Sequence, residues 1–321
     1  MKQNNNYYIT LGVVIIIMII MIMMTIIYMN KLNYKEHMQL NTQFITVKLI
    51  CNWDKDLTKK WNYMIPKDSK IQFVSGKNIK ADYYVIINFP IYNEYYEPKK
   101  TILFHMEPLN YYSRAEQWRQ PNHADFFQVI SHKNGYNNIE WFISKNIDTL
   151  RNEQIKKSSV LSMVLSDYYI HPGHKLRVNF AKFLDNIDIQ IDIYGRCRSL
   201  NLKKYKGELP DLKKDEALYP YKYSIAVENN SEFNYFTEKI SDCILSECLC
   251  FYWGAPNIDN YYPNAFIRLD LSDFSKAHKQ ITDAIKNNEW ERRLPMIKKA
   301  KNKILYEMNL VNRLENIIGV K

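Results

Sequence analysis

The stretch Tyr221–Asp270, YKYSIAVENNSEFNYFTEKISDCILSECLCFYWGAPNIDNYYPNAFIRLD, reads as strand, polar loop, helix, strand, loop and strand. Tyr223–Val227 is a short apolar run of strand formers, and the turn-prone cluster Glu228-Asn229-Asn230-Ser231 stops it. Asn234 or Thr237 then caps a helix whose apolar positions are Phe236, Ile240, Ile244 and Cys248, spaced by four. Cys248–Trp253 returns as a buried strand, broken by Gly254-Ala255-Pro256. Polar side chains at the carboxyl end of a strand, facing the start of a helix, are how open α/β sheets hold phosphate-bearing ligands. The stretch therefore points to a site for a phosphate-bearing ligand.

Outward from it, the chain alternates. Phe44–Ile50, Ile71–Val74, Tyr83–Phe89, Thr101–His105 and Phe127–Ser131 read as strands, with a helix over Asp54–Met64. A second alternating set has strands at Val160–Ser166 and Ile189–Tyr194 around a helix from Gly173 to Asn186. Helical patterns at Ser275–Asn287 and Glu289–Asn316 close the chain. The polar link Asn152–Ser159 divides two α/β halves, residues 43–155 and 156–321, with the last helix free to return to the first half. A cleft between them is the expected ligand site.

Ahead of these halves, Ile9–Met29 is 21 residues without a charge. As a helix it is about 30 Å long, the thickness of a bilayer core. It lacks the small-residue cleavage site of a signal peptide. A transmembrane anchor is expected over residues 9–29, after a tail of residues 1–8 and before a stem of residues 30–42. Lys2 against Lys31 and Lys35 does not settle its orientation.

Composition excludes some classes. The net charge is +10, but the lysines are scattered and not interleaved with aromatics, so a nucleic-acid partner is not expected. The five cysteines contain no Cys-x-x-Cys pair, which argues against a structural zinc site. His171 and His174 flank Pro-Gly and read as a turn, not a metal pair.

The central stretch resembles the α1,3/1,4-fucosyltransferases of glycosyltransferase family 10. The residues that carry the likeness are Tyr221-Lys222-Tyr223, Glu228-Asn229, Asn234-Tyr235-Phe236-Thr237-Glu238-Lys239, Gly254-Ala255-Pro256 and Pro263-Asn264-Ala265-Phe266-Ile267. The likeness is strong over some fifty residues and thins to a few anchors in the first half. It departs from the family at Glu247-Cys248 and Phe251.

The resemblance implies a GT-B fold, two Rossmann-like domains facing a cleft, with the acceptor side in residues 43–155 and the donor side in 156–321. It implies an inverting transfer of L-fucose from GDP-fucose to a glycan hydroxyl, in α1,3 linkage. It also implies a single-pass type II protein with its catalytic body in the Golgi lumen. On the donor side it assigns Lys239 to the diphosphate, Glu238 to ribose or fucose hydroxyls, Asn229 to the phosphates or fucose, and Tyr235 to the pocket wall. Arg177 and Arg196 compete for the arginine on the diphosphate. The catalytic base is expected at Glu107, which ends the strand Thr101–His105 and precedes Pro108. His105 is its rival, and Tyr111, Tyr112 and Trp118 are a candidate sugar platform. The Asp-x-Asp of metal-dependent enzymes occurs only at Asp54-Lys55-Asp56, in the segment read as helix, so no metal is expected. The sequon at Asn229-Asn230-Ser231 is expected to carry no glycan. Another nucleotide sugar, or a sugar-binding protein without catalysis, are the alternatives.

Overall fold

The computed structural model describes residues 18–29, 44–108, 122–211 and 213–320. The chain divides into two units, residues 1–45 and 46–321. In the first, residues 18–29 form helix α1, and every large apolar side chain from Met18 to Met29 is at least half exposed. Among the described residues no helix is long and apolar enough to cross a membrane. Helix α1 covers about 18 Å, and residues 9–17 of the expected anchor lie outside the described residues. So do the stem and the platform residues Tyr111, Tyr112 and Trp118.

The second unit contains two sheets. The first has the order β2-β1-β3-β4-β5, built from β1 (Ile45–Ile50), β2 (Ile71–Val74), β3 (Tyr83–Ile87), β4 (Thr101–His105) and β5 (Gln128–Ser131). Strands β1, β3, β4 and β5 pair in parallel. Helix α2 (Leu57–Met64) follows β1. It starts later than the sequence pattern suggests, because the Asp54 carboxylate accepts from the Asp56 backbone N–H at 2.9 Å and makes a turn of Asp54–Asp56. The Asp-x-Asp is therefore a turn on the first sheet. Strand β3 stops at Asn88, whose φ of 64° leaves the extended region.

Helix α3 (Ile147–Asn152) leads to the second sheet. Its order is β11-β10-β9-β6-β7-β8 and all its pairings are parallel. The strands are β6 (Ser159–Val164), β7 (Asp192–Tyr194), β8 (Tyr205–Gly207), β9 (Tyr221–Val227), β10 (Leu249–Trp253) and β11 (Phe266–Arg268). The helices are α4 (Pro172–Asp185), α5 (Asp215–Leu218), α6 (Glu238–Leu245) and α7 (Phe274–Lys286). Strands β9 and β10 are buried on both faces, as apolar runs in a parallel sheet require. The chain runs outward from β6 to β8, then returns to place β9 on the other side of β6. The order reverses there, and the crevice at the carboxyl ends of β6 and β9 is the place such sheets offer a ligand.

The closing helix is not continuous. Helix α8 (Glu289–Lys303) passes through a π turn over Ile304–Met308 before α9 (Leu310–Ile318) begins. Asn309 makes the break: its backbone is extended, its side-chain oxygen caps Asn312 N–H at 3.0 Å, and its amide donates to Leu305 O at 3.1 Å. The restart aims α9 at the first sheet. There Arg313 donates to the carbonyls of Asn138 and Tyr136 and lies 4.8 Å from the Phe104 ring of β4. Ser69 donates to Glu315 at 2.9 Å.

The start of α4 is pressed against the end of β9. Gly173 donates its N–H to Asn229 O at 3.0 Å, and a Cβ on Gly173 would stand 1.9 Å from Glu228 O. Backbone cannot yield as a side chain does. Gly173→Ala is therefore expected to cost about 1–3 kcal/mol and, by moving Asn229, to weaken binding of any phosphate-bearing ligand at this strand end. Denaturant unfolding and nucleotide titration check this; unchanged values for both would refute it.

Candidate active site

A cavity of about 250 Å³ lies in the crevice at the carboxyl end of the second sheet. It is lined by Ser166 after β6, Arg177 on α4, Gly195 and Arg196 after β7, Leu209–Asp211 after β8, Lys214 before α5, and Glu238 and Lys239 at the start of α6. Four of these side chains are cationic. A cavity so lined suits a polyanion.

Helix α6 begins there for a local reason. Thr237 is its N-cap, its hydroxyl accepting from Lys239 N–H at 3.4 Å, an arrangement worth about 1 kcal/mol. Phe236 precedes the helix instead of lying on its face. The cap is itself held by Glu228, a fully buried carboxylate at the end of β9, which accepts from Thr237 N–H at 2.9 Å and from Thr237 Oγ1 at 2.7 Å. Lys239 Nζ lies 3.4 Å from Glu228 and 3.3 Å from Glu238. Glu228 thus ties strand end, helix start and cation together, a role the sequence reading did not assign. Its place between a strand and a capped helix was a usable signal.

Lys214 was also missed. Its Nζ lies 3.4 Å from Glu238 Oε1 and 2.9 Å from Asp242 Oδ2. Burial pushes the Glu238 carboxyl up, but the ammonium groups of Lys239 and Lys214 overcome this and hold it well below the usual carboxylate range. Glu238 therefore faces the cavity as an anion with its Oε1 shared by two lysines. Burial pushes Asp242 up to about 6 against the pull of Lys214. Asp242 also accepts from Phe142 N–H at 2.8 Å, which brings the segment after the first sheet to the cavity wall. No motif surrounds Lys214, so only the fold could show it.

The two arginines differ. Arg177 is 4% exposed and donates to Val227 O at 3.1 Å, Asn229 Oδ1 at 3.4 Å and Ser166 Oγ at 3.4 Å. Burial lowers its pKa, opposed by Glu228 and Glu238. Arg196 is exposed at the cavity edge next to Gly195, whose φ is +108° and whose Cβ would stand 2.3 Å from Leu165 O. Asn229 is half-buried and held by Arg177, so its side chain is engaged within the site. Tyr235 does not line the cavity: it is 2% exposed, with its ring centroid 5.7 Å from that of His132. Burial raises its phenol pKa well above the usual value, and the carboxylates of Glu228, Glu107, Glu238 and Glu232 push the same way.

Glu107 comes from the other sheet, two residues past β4. Burial raises its carboxyl above the usual range, Lys239 draws it back, and Glu238 pushes it up again. Glu107 is therefore in the field of both donor-side residues although it does not line the cavity. His105, the rival base, is 1% exposed and neutral, with burial lowering its pKa to about 4. Its carbonyl accepts from Asn137. The His171-Pro-Gly-His174 segment is not a free turn but the start of α4, with His171 as its N-cap, Pro172 in its first turn and His174 Nδ1 accepting from His171 N–H at 3.4 Å. Among the described residues no group of three His, Cys, Asp or Glu side chains could hold a metal ion.

Residues 154–291 match the family model of the glycosyltransferase family 10 (fucosyltransferase) C-terminal region. Among curated relatives, the chain is 35% identical over 66 residues to the α-(1,3)-fucosyltransferase FucT of Helicobacter pylori, covering 20% of this chain and 14% of that one. It is 29% identical over 147 residues to α-(1,3)-fucosyltransferase B of Drosophila melanogaster, covering 40% of this chain and 32% of the relative. The match thus spans less than a third of either relative. A crystal structure of an α1,3-fucosyltransferase with GDP is similar over 83% of this chain and 92% of its own, at 15% identity and a TM-score of 0.48. Residues 154–291 supply nearly all of the cavity wall, so the part of the chain that is similar to the glycosyltransferase family 10 (fucosyltransferase) C-terminal region is the part that builds the site.

Proposed function

We propose that this protein is an inverting α1,3-fucosyltransferase that moves L-fucose from GDP-fucose to a glycan hydroxyl. The observation that carries the reading is the cavity of Arg177, Glu238 and Lys239 on one sheet, with Glu107 of the other sheet in the field of Lys239 and Glu238. The curated relatives named above are α-(1,3)-fucosyltransferases, which supports fucose as the sugar transferred and the same linkage. Two facing Rossmann-like domains of the GT-B type, residues 43–155 for the acceptor and 156–321 for the donor, accommodate it.

The chemistry follows from charge. Glu107 takes the proton of the acceptor hydroxyl as its oxygen attacks the anomeric carbon. The bond from that carbon to the β-phosphate oxygen breaks on the opposite face, so configuration inverts. The departing diphosphate gains negative charge, which Lys239, Arg177 and the start of α6 stabilise. Glu238 accepts from sugar hydroxyls, and Asn229 aligns the phosphates. Arg177, braced at the strand ends, takes the diphosphate, and Arg196 lies toward the nucleoside. These cations supply the charge a metal would otherwise bring, so the reaction is metal-independent in this reading. Residues 9–29 anchor the protein as a single-pass type II membrane protein, Golgi-lumenal in a eukaryotic cell.

Incubating the full chain with GDP-fucose and a glycan panel is expected to give fucosylated product, at a rate unchanged by EDTA. Transfer from a UDP-sugar in preference would show that another donor is used. Saturable GDP binding with no turnover on any acceptor would leave a sugar-binding protein.

A further inference from the structure

The cationic end of the cavity accounts for a diphosphate, but not for how one nucleobase is chosen over another. Arg177 and Lys239 stand over β9 and β6. The cavity then extends across the sheet toward β7 and β8, which are neighbours in the order β9-β6-β7-β8. Two strand spacings make about 10 Å, room for a nucleoside lying outward from its phosphates. That end is walled by Gly195, Arg196, Leu209, Pro210 and Asp211. Gly195 keeps the floor open, since its Cβ has no space, and Leu209 and Pro210 offer apolar surface to a flat ring.

Bases differ in their hydrogen-bonding edges. Guanine presents two adjacent donors, N1–H and the exocyclic N2–H, and a carboxylate, which only accepts, matches both at once. Only two carboxylates line the cavity among the described residues, Glu238 and Asp211. Glu238 is occupied by Lys214 and Lys239. The Asp211 carboxylate has no hydrogen bond or ion pair with another described residue. We infer that Asp211 is the specificity residue for the nucleobase, accepting both donors of guanine while Leu209 and Pro210 flank the ring. The inference rests on the donor reading given above and adds to it the residue that selects the base.

The test is an exchange of complementarity. Xanthine keeps N1–H but carries a carbonyl oxygen where guanine has the amino group, so an Asn side chain matches xanthine and a carboxylate matches guanine. The full chain is titrated with GDP, XDP and UDP, in its parent form and as Asp211→Asn. The parent is expected to prefer GDP. Asp211→Asn is expected to lose about tenfold to a hundredfold in GDP affinity and to gain affinity for XDP, reversing the preference. Because Asp211 is exposed, the variant keeps the parent's thermal midpoint. A parent that prefers GDP and a variant that keeps this preference overturn the inference alone. A parent that binds no guanine nucleotide overturns the donor reading and the inference with it.

Discussion

Glu107→Gln is expected to lower the rate constant for transfer by about 10²–10⁴-fold and to leave GDP affinity unchanged. Glutamine keeps the shape and the neutral polar contacts but cannot accept the acceptor's proton. GDP binding is expected to survive because Glu107 lies outside the cavity. The pH dependence gives an independent reading. The active form is the carboxylate, so the parent's rate rises with pH as Glu107 loses its proton and then levels. Burial raises that carboxyl, so the acid limb sits above the usual glutamate value of about 4.3. In Glu107→Gln the residual rate loses this limb. Full activity in the variant would sink the assignment, and His105 could not simply replace it. Its ring is neutral with a pKa near 4, which makes it a weak base.

Lys239→Ala is expected to reduce kcat/KM for the donor by about 10²–10³-fold. Lys239 lies in the cavity at the start of α6, where the helix dipole and the ammonium group both favour a bound anion, in the proposed reaction the departing diphosphate. A second effect separates it from an ordinary surface lysine. Lys239 draws the Glu107 carboxyl down, so removing it lets that carboxyl rise further. The acid limb of the rate profile therefore moves to higher pH in Lys239→Ala. A variant with weaker donor use and an unmoved limb would show that Lys239 does not face the base. Unfolding midpoints serve as the control, since the loss also leaves buried Glu228 without the cation 3.4 Å away.

Much of the cavity wall was legible in the amino-acid sequence. A strand that ends in Glu228-Asn229, a cap at Thr237 and an acid–base pair in the first helical turn are local events, governed by turn chemistry and capping within a few residues. The structure shows Glu238 and Lys239 facing one cavity with Arg177. Periodicity was less reliable where a single side chain intervened. Asn309 splits the closing helix, and the Asp54 turn delays α2, because each offers the backbone a hydrogen bond that competes with the helix.

The sequence by itself determined the alternation of the two halves and the strand–loop–helix that borders the cavity, since both depend on contacts among near neighbours. Only the tertiary structure decided what surrounds them. Lys214 and Asp242 meet across 28 positions, Phe142 reaches Asp242 across 100, and Glu107 enters the field of Lys239 from another sheet. It also withdrew Tyr235 from the cavity wall into the core beside His132. Burial and charge at long range follow from how the sheets stack, and no local pattern in a chain encodes that.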